Sequence, residues 1–248
     1  MPFTLAHPAA VVFFRKNKFF NFQALVLGAM APDFIYFILF KPSSNIGHTF
    51  LGFLLLNLPI CFLLNFLFNN FIKEPMILNL PKSLVKDYGY LIKDKNQIKG
   101  LKGFFIFSYS ALIGMITHVL WDGFTHSSGY FVETIGFLTK SLTIGNHNLY
   151  IYKILQHGST IIGTIILLIY LYKIKHSNNI IIESKISKLT YYLIIGITVI
   201  ITFLLSYIFF KYKHGEFVIG SFVVTLVNGI FLGYLTAGVY YKFLKYKL

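Results

Sequence analysis

Long apolar stretches separated by short polar segments dominate the hydrophobic pattern of this chain. A helical membrane crossing needs about 20 apolar residues, whereas a barrel strand needs about 10 in alternating order. Six stretches reach the helical length: residues 22–40, 46–72, 103–125, 149–172, 189–210 and 217–241. In the last of them, Gly229 and Gly233 form a G-x-x-x-G arrangement that permits close helix approach. The pattern therefore predicts an all-α fold, a polytopic transmembrane helix bundle of about six spans.

A shorter apolar segment precedes the first span and ends at Arg15. His7 is followed by Pro8, a residue that suits the first position of a helix. Such a helix would start inside the membrane, about 12 Å above Arg15, where backbone is tolerated when it is buried in protein or lines a cavity. We therefore predict a short N-terminal half-helix, with an N-terminus lying on the membrane surface as the alternative. Residues 1–172 would form the part that bears the site, and residues 173–248 would add two further helices to the same bundle.

The composition excludes a soluble fold of this length. Hydrophobic residues make up 56% of the 248 positions and charged residues only 12%, so a soluble fold would expose too much apolar surface. The basic residues alternate by side of the predicted bundle, with 17 on one side and 5 on the other. Because basic loops stay in the cytoplasm, this asymmetry predicts a multi-pass protein with both termini cytoplasmic. Juxtamembrane lysines also account for the net charge of +14 without a nucleic-acid partner.

Two features of the sequence argue against a cleavable signal peptide and against a site built from cysteines. Residues 1–14 lack the charge order and the cleavage site of a signal peptide, so we expect no cleavable signal. Cys61 is the only cysteine and lies inside a predicted span. Neither a disulfide framework nor a thiolate metal site is therefore available.

Ionisable residues occur inside four of the predicted spans, where each is costly to bury and indicates a functional site. Asp33 lies roughly 20 Å above the cytoplasmic end of its helix, and His118 lies roughly 23 Å above Gly103. His48 opens the second span from the outer side, and His157 lies about 12 Å below the outer end of the fourth. The helices therefore bring polar groups together in the outer half of the bilayer.

His118, Asp122 and His126 follow one another at intervals of four residues. This spacing places the three side chains along one helix face, with neighbours roughly 5–6 Å apart, and two such groups can bind one metal from a single helix. A buried histidine alone is more often a hydrogen-bonded core residue, but a His/Asp pair at the depth of Asp33 and His48 favours a metal site. The candidate metal ligands are His7, Asp33, His48, His118, Asp122, His126 and His157.

The types of ligand indicate which cofactor the site would take. Histidine nitrogen with carboxylate oxygen and no thiolate suits zinc, manganese or iron, and the ligands suffice for one or two ions. Asp33 and Asp122 are the candidate catalytic residues, each as ligand or as general base. Lys153, Gln156 and Thr125 are the candidate substrate-binding residues, although snorkelling to the interface also explains Lys153.

Five segments of the chain resemble, in this order, a family of bacterial membrane proteins named as domain of unknown function 4184. They are MPFTLAHPAA, ALVLGAMAPDF, GHTFLGFLL, HVLWDGFTH and LQHGST. The resemblance covers roughly residues 1–170. It implies a location in the bacterial inner membrane.

The chain is also similar, more distantly, to bacterial inner-membrane proteins described as membrane-bound metal-dependent hydrolases. The positions that match motifs of that group are His7, Pro32, Asp33, His48, His118, Asp122 and Thr125, whereas His126 and His157 have no counterpart there. This resemblance implies a hydrolase, and the depth of the site implies an amphipathic substrate, a membrane lipid phosphoester or acyl ester at the outer leaflet. Two alternatives remain open: an ion or proton-coupled transporter, and a b-type haem carrier with His118 and His157 as axial ligands.

Overall fold

The computed structural model of the chain describes residues 3–42, 45–94, 98–144, 147–176, 184–214 and 218–247. The α-helices are α1 (Phe22–Met30), α2 (Phe34–Leu39), α3 (Phe50–Gly52), α4 (Leu58–Leu67), α5 (Lys73–Leu78), α6 (Lys82–Tyr88), α7 (Gly100–Thr125), α8 (Tyr130–Thr134), α9 (Ile151–Lys173), α10 (Lys188–His214) and α11 (Ile219–Lys247). Strands β1 (Ser141–Ile144) and β2 (His147–Tyr150) pair antiparallel. Tighter 3₁₀ segments cover Thr4–Ala10, Val12–Phe14, Ala31–Asp33, Ile46–His48 and Gly89–Ile92, and π-helical segments cover Phe53–Asn57 and Phe68–Ile72.

Six helices in the described part of the chain are long and apolar enough to cross a membrane. They cover Phe22–Leu39, Phe50–Leu78, Gly100–Thr134, Ile151–Lys173, Lys188–Lys213 and Ile219–Leu244. The predicted all-α, polytopic fold is therefore confirmed. Strands β1 and β2 depart from it locally. The sequence SLTI of β1 alternates in polarity with the period of a strand, and HNLY of β2 pairs with it antiparallel.

The chain divides into two compact units. Unit 1 comprises Met1–Asp33, Ile46–Cys61 and Ile98–Lys173, and unit 2 comprises Phe34–Asn45, Phe62–Gln97 and Ile174–Leu248. All seven candidate metal ligands belong to unit 1.

Unit 1 is built around a close crossing of α1 and α7. A Cβ atom added to Gly28 would lie 2.1 Å from the Ala111 carbonyl oxygen, and one added to Gly114 would lie 2.4 Å from that of Leu25. Only glycine permits such backbone contact, as in the small-residue interfaces of membrane helices. The crossing brings the carboxyl end of α1 against the middle of α7, where His118 is fully buried.

Pro32 ends α1 and re-shapes the chain just before Asp33. Proline has no N–H to continue the α-helical ladder, and residues Ala31–Asp33 instead form a 3₁₀ turn. In a 3₁₀ turn the Ala29 carbonyl would accept from the N–H of residue 32, but Pro32 has none, so this carbonyl is left for a side-chain donor. Asp33 is buried, with 1% of its surface exposed.

The predicted N-terminal half-helix is present as two 3₁₀ segments rather than an α-helix. The Val11 N–H donates to the Pro8 carbonyl at 3.0 Å, an i→i+3 bond, and Pro8 itself supplies no donor within the segment. The tighter winding places small residues against α9, where a Cβ atom on Gly163 would lie 3.0 Å from the Ala6 carbonyl oxygen. His7 is buried within this segment.

Unit 2 contains the close pair of helices α10 and α11. Cβ atoms added to Gly229 and Gly233 would lie 3.2 Å from Val199 Cα and 3.0 Å from Ile195 Cγ2. The predicted role of the G-x-x-x-G arrangement in close helix approach is confirmed. Towards the end of α11, Tyr191 of α10 packs with Ala237 and Tyr241 in a buried apolar cluster.

Candidate metal centre

Four separate segments of unit 1 bring imidazole and carboxylate groups to one place. His7 comes from the N-terminal 3₁₀ segment, Asp33 from the turn that follows α1, and His48 from the 3₁₀ turn Ile46–His48. His118 and Asp122 lie one turn apart on α7 and face the same side. The sequence-predicted convergence of these five side chains is therefore present in the structure.

The central group consists of four atoms, which we call the donor ring: Asp33 Oδ1, His48 Nε2, His118 Nε2 and Asp122 Oδ2. The separation is 3.8 Å between His48 and Asp33, 3.5 Å between His48 and Asp122, 3.7 Å between His118 and Asp33, and 3.3 Å between His118 and Asp122. Bonds of about 2.0–2.2 Å to nitrogen or oxygen place the donors of a tetrahedral ion roughly 3.3–3.6 Å apart. The four separations between neighbouring donors are therefore close to those in a coordination shell.

The orientation of His118 is fixed from outside the donor ring. Its Nδ1 lies 2.8 Å from the Ala29 carbonyl oxygen. Since a carbonyl only accepts, Nδ1 carries the proton and donates it, which leaves the lone pair of Nε2 directed at Asp33 and Asp122. Metal-binding histidines commonly show this arrangement, in which the outer nitrogen donates to a carbonyl.

The carboxylate of Asp33 is also held by a partner. The hydroxyl of Thr4 donates to Asp33 Oδ2 at 2.6 Å, so that Oδ1 is the oxygen that faces His48 and His118. Thr4 belongs to the same 3₁₀ segment as His7. The N-terminal segment therefore positions one ligand directly and a second through a hydrogen bond.

His48 reaches the site because its turn packs against the turn that contains Asp33. A Cβ atom on Gly47 would lie 2.1 Å from the Pro32 carbonyl oxygen, so the two turns are in backbone contact. The side-chain amide of Asn57 donates to the Gly47 carbonyl at 2.7 Å, and Asn57 is fully buried. This bond ties the His48 turn to the π-helical segment that follows it.

His7 stacks on the imidazole ring of His118. The ring centroids are 3.8 Å apart and the planes differ by 17°. His7 Nε2 lies 3.7 Å from Asp122 Oδ1, the carboxylate oxygen outside the donor ring. Within the described residues, both of these atoms are buried and neither makes a hydrogen bond.

Buried polar atoms without hydrogen bonds are costly, and a bound ion relieves that cost. His118 Nε2 and Asp33 Oδ1 are in the same situation within the described part of the chain. Two overlapping groups have the spacing to hold a metal ion: His7 with His118 and Asp122, and Asp33 with His48 and His118. These nitrogen and oxygen donors fit a divalent ion of the borderline type.

The remaining predicted site residues occupy less central positions. His126 follows α7, and its Nδ1 lies 3.6 Å from Asp122 Oδ1 and 3.1 Å from the Asp122 carbonyl oxygen. Thr125 is buried and its hydroxyl donates to the Trp121 carbonyl at 3.3 Å. Gln156 is buried in α9, whereas Lys153 and His157 are exposed on that helix and belong to neither candidate group.

Sequence reasoning did not find the residues that support the ligands. Thr4 carries a hydroxyl three positions before His7, and Asn57 is a polar residue inside an apolar span, which by itself indicates a functional position. The Ala29 carbonyl has no signal in the sequence, because its role depends on the crossing of α1 with α7. Trp121 Nε1 donates to Ser159 Oγ at 3.1 Å and connects α7 to α9 beside the site.

Comparison with protein families matches residues 1–239 to the family described as Domain of unknown function (DUF4184). The predicted family is confirmed, and the match extends beyond the residues that carried the resemblance. Neither the curated proteins nor the solved structures give a match. The distant similarity to metal-dependent hydrolases and the bacterial location stay predictions.

Proposed function

Since the chain belongs to the DUF4184 family, whose description assigns no activity, we propose a function from its site: a membrane-embedded metal-dependent hydrolase that acts on a lipid-like ester or phosphoester near the outer leaflet. The observation that supports this proposal most directly is the donor ring, with separations of 3.3–3.8 Å, of which Asp33, His118 and Asp122 are buried within helices long enough to span a membrane. Zinc, manganese or iron suits its two nitrogens and two oxygens.

The donor ring would hold the ion, with His7 beside it. When bound, such an ion activates a water molecule and polarises the oxygen of an ester or phosphoester. Thr4 and the Ala29 carbonyl keep Asp33 and His118 in the orientation that binding requires.

Asp122 has the geometry for two tasks, because its oxygens face different partners. Oδ2 belongs to the donor ring, whereas Oδ1 lies 3.7 Å from His7 Nε2 and 3.6 Å from His126 Nδ1. We assign to Asp122 Oδ1 and His7 the transfer of the proton that the attacking water loses, since both atoms lie beside the donor ring and have no hydrogen bond within the described residues. Asp33, with its outer oxygen already bonded to Thr4, would serve as a ligand.

The setting of the site favours a lipid-like substrate. A water-soluble molecule would have to leave water to reach donors buried among membrane helices, whereas a lipid already has its ester at the interface. The proposal includes a topology with both termini cytoplasmic and the site in the outer half of a bacterial inner membrane. The uneven distribution of basic residues supports this orientation.

A b-type haem carrier fits the geometry less well than a metal hydrolase. An axial histidine needs open space in front of its nitrogen, but His118 Nε2 lies within 3.7 Å of both Asp33 and Asp122. Proton-coupled transport would use the same buried acids and imidazoles as a relay. The experiment below separates it from hydrolysis.

The test measures metal and activity on the same detergent-purified protein. We expect zinc, manganese or iron near stoichiometric amounts by elemental analysis, and at least tenfold less in His118→Ala and Asp122→Ala. His176→Ala is the matched control, because His176 lies in unit 2 and its loss should leave the metal content unchanged. Equal metal in all four proteins would remove these residues from a metal site.

Activity is then followed with metal-loaded protein and a panel of phospholipids and lipid-linked phosphates, with products identified by mass spectrometry. We expect hydrolysis of at least one class, abolished by a chelator. Asp122→Asn should lose turnover more than metal if Asp122 carries the proton, whereas Asp33→Asn should lose both together. A fully metallated protein that turns over none of the panel would refute the hydrolase and leave transport as the leading role.

A further inference from the structure

A cavity of about 330 Å³ opens beside the metal centre, between the N-terminal 3₁₀ segment, α7 and α9. Its walls include His7, Ala10, Phe13, Trp121, Ser159 and Ile162. His7 therefore belongs both to this cavity and to the metal centre, where its Nε2 lies 3.7 Å from Asp122 Oδ1. The cavity is large enough for part of a ligand, since binding pockets for small molecules begin at about 300 Å³.

The polar side chains on the cavity wall are engaged with one another or with backbone. Trp121 Nε1 donates to Ser159 Oγ at 3.1 Å, and the Ser159 hydroxyl donates to the Gln156 carbonyl at 3.1 Å. The Thr117 hydroxyl donates to the Gly114 carbonyl at 2.7 Å. Among the described lining residues, the buried side-chain polar atom without a hydrogen bond is His7 Nε2, at the end that meets the metal centre. The remainder of the wall offers apolar surface.

Two residues that line the cavity are exposed at the surface of the helices. Ile162 is 59% exposed and Phe13 is 78% exposed. Where such side chains face hydrocarbon, the molecules that fill an open apolar cavity are the acyl chains of lipids. From His7 to Phe13 the 3₁₀ segments rise roughly 12 Å, so the wall extends away from the metal centre for several methylene groups of a chain.

From these observations we propose that the cavity binds one acyl chain of the lipid substrate and holds its ester end at His7. This inference rests on the proposed function for the identity of the reacting group, but chain binding is a separate property of the cavity. The geometry assigns recognition of the hydrocarbon tail to the N-terminal segment and α9. It leaves the headgroup free to lie towards the outer surface.

The test uses a phospholipid with a diazirine near the end of one acyl chain, incorporated into nanodiscs with the full-length protein. After irradiation, peptide mass spectrometry locates the covalent label. We expect labelling concentrated on the cavity wall, around residues 10–13 and 162–166. The Ile162→Trp substitution fills the cavity and should reduce that labelling at least fivefold.

Ile161→Trp is the matched control, because Ile161 is 63% exposed on the same helix and does not line the cavity. It should leave labelling of the cavity unchanged. Labelling spread evenly over the exposed face of α9, with no difference between the two variants, would overturn the proposal.

Metal content separates this inference from the proposed function. Both tryptophan variants should retain their metal, since neither position touches the donor ring. If the wild type shows the cavity labelling but hydrolyses no lipid, the acyl-chain site stands and the hydrolase fails. If lipid is hydrolysed but Ile162→Trp alters neither labelling nor chain-length preference, the hydrolase stands and the acyl-chain site fails.

Discussion

Two candidate ligands, His118 and Asp33, are each oriented by a residue on a different segment of the chain. The Ala29 carbonyl accepts from His118, and the Thr4 hydroxyl donates to Asp33. Partners of this kind typically change metal affinity 10–100-fold when they are removed, because the ligand then samples other orientations. At the scale of single residues, the site is defined as much by these partners as by its ligands.

Replacing Thr4 with valine should therefore weaken the site without removing any ligand. Valine has nearly the same shape but cannot donate to Asp33 Oδ2, and we expect metal affinity to fall about 10–100-fold. Competition with a metal indicator would measure the change. Thr164→Val is the matched control, since the Thr164 hydroxyl is exposed and donates to the Thr160 carbonyl of its own helix. Equal affinities for the two variants would contradict the role given to Thr4.

The residues that form the candidate centre could be identified from the sequence, because polar residues are rare within the hydrocarbon layer of a membrane. The four-residue interval between His118 and Asp122 already places both on one face of α7, and Asp33 and His48 follow from their depth in neighbouring spans. The supporting partners could not be derived in this way. Ala29 contributes a backbone atom, and its proximity to His118 arises only when α1 and α7 cross.

At the scale of elements, glycine contacts determine how the ligand-bearing segments meet. Gly28 and Gly114 allow α1 and α7 to touch, and Gly47 allows the His48 turn to touch the turn at Pro32. Each contact is between backbones, so nothing in it can yield to an added methyl group by changing rotamer. The relative positions of Asp33, His48 and His118 depend on these three points.

Gly114→Ala is expected to disrupt the centre from a distance. The added Cβ would lie 2.4 Å from the Leu25 carbonyl oxygen and 2.7 Å from the Ala29 nitrogen, so α1 and α7 must separate. We expect a loss of about 1–3 kcal/mol in stability and at least tenfold less bound metal.

Gly158→Ala provides the control for this prediction. Gly158 lies within α9, and a Cβ atom there meets nothing within 4 Å. Alanine is a better helix former than glycine by about 1 kcal/mol, so this variant should be unchanged or slightly more stable. Thermal denaturation and elemental analysis of both variants measure their stability and metal content. Full metal content in Gly114→Ala would show that the crossing of α1 and α7 does not position His118.

Element types were less predictable from the sequence than element positions. The segment around His7 was correctly placed before the first span, but Pro8 and the packing of Ala6 against Gly163 favour a 3₁₀ winding over an α-helix. The β1–β2 hairpin lies between two spans, and its strands of four residues each are too short to carry a clear hydrophobic pattern. In both cases local hydrogen bonding, rather than hydrophobicity, decides the form.

At the scale of the whole molecule, six apolar helices make the chain a polytopic membrane protein. All candidate ligands belong to unit 1, and among the described residues neither candidate metal group includes a member of unit 2. The orientation of the molecule in the membrane is predicted by its basic residues, because their uneven distribution indicates which loops face the cytoplasm.

The predicted topology can be tested with single cysteines at Lys86 and Lys140, which are both exposed. We expect a membrane-impermeant maleimide added outside intact cells to label position 140 and to leave position 86 unlabelled. The native Cys61 is buried and provides the background reaction. Labelling of position 86 from outside would reverse the proposed orientation.

A ligand that binds only the folded protein stabilises it against unfolding. The gain is about 2.7 kcal/mol when the ligand concentration is 100 times the dissociation constant. Chelation should therefore lower the apparent melting temperature of the purified wild type, and zinc, manganese or iron should restore it. The His118→Ala variant should have a lower melting temperature than the wild type, and neither the chelator nor added metal should change it. A wild type whose melting temperature ignores both chelator and metal would contradict a stabilising ion in the donor ring.

The hydrogen bond from His118 to Ala29 joins positions that are 89 residues apart in the chain. Synthesis proceeds from the N-terminus, so the segments that carry Asp33 and His48 are made before α7. During that interval Asp33 and His48 have neither His118 nor Asp122 beside them. The proposed metal centre is therefore complete only after α7 has been synthesised and inserted, which would make metal loading a late step of biogenesis.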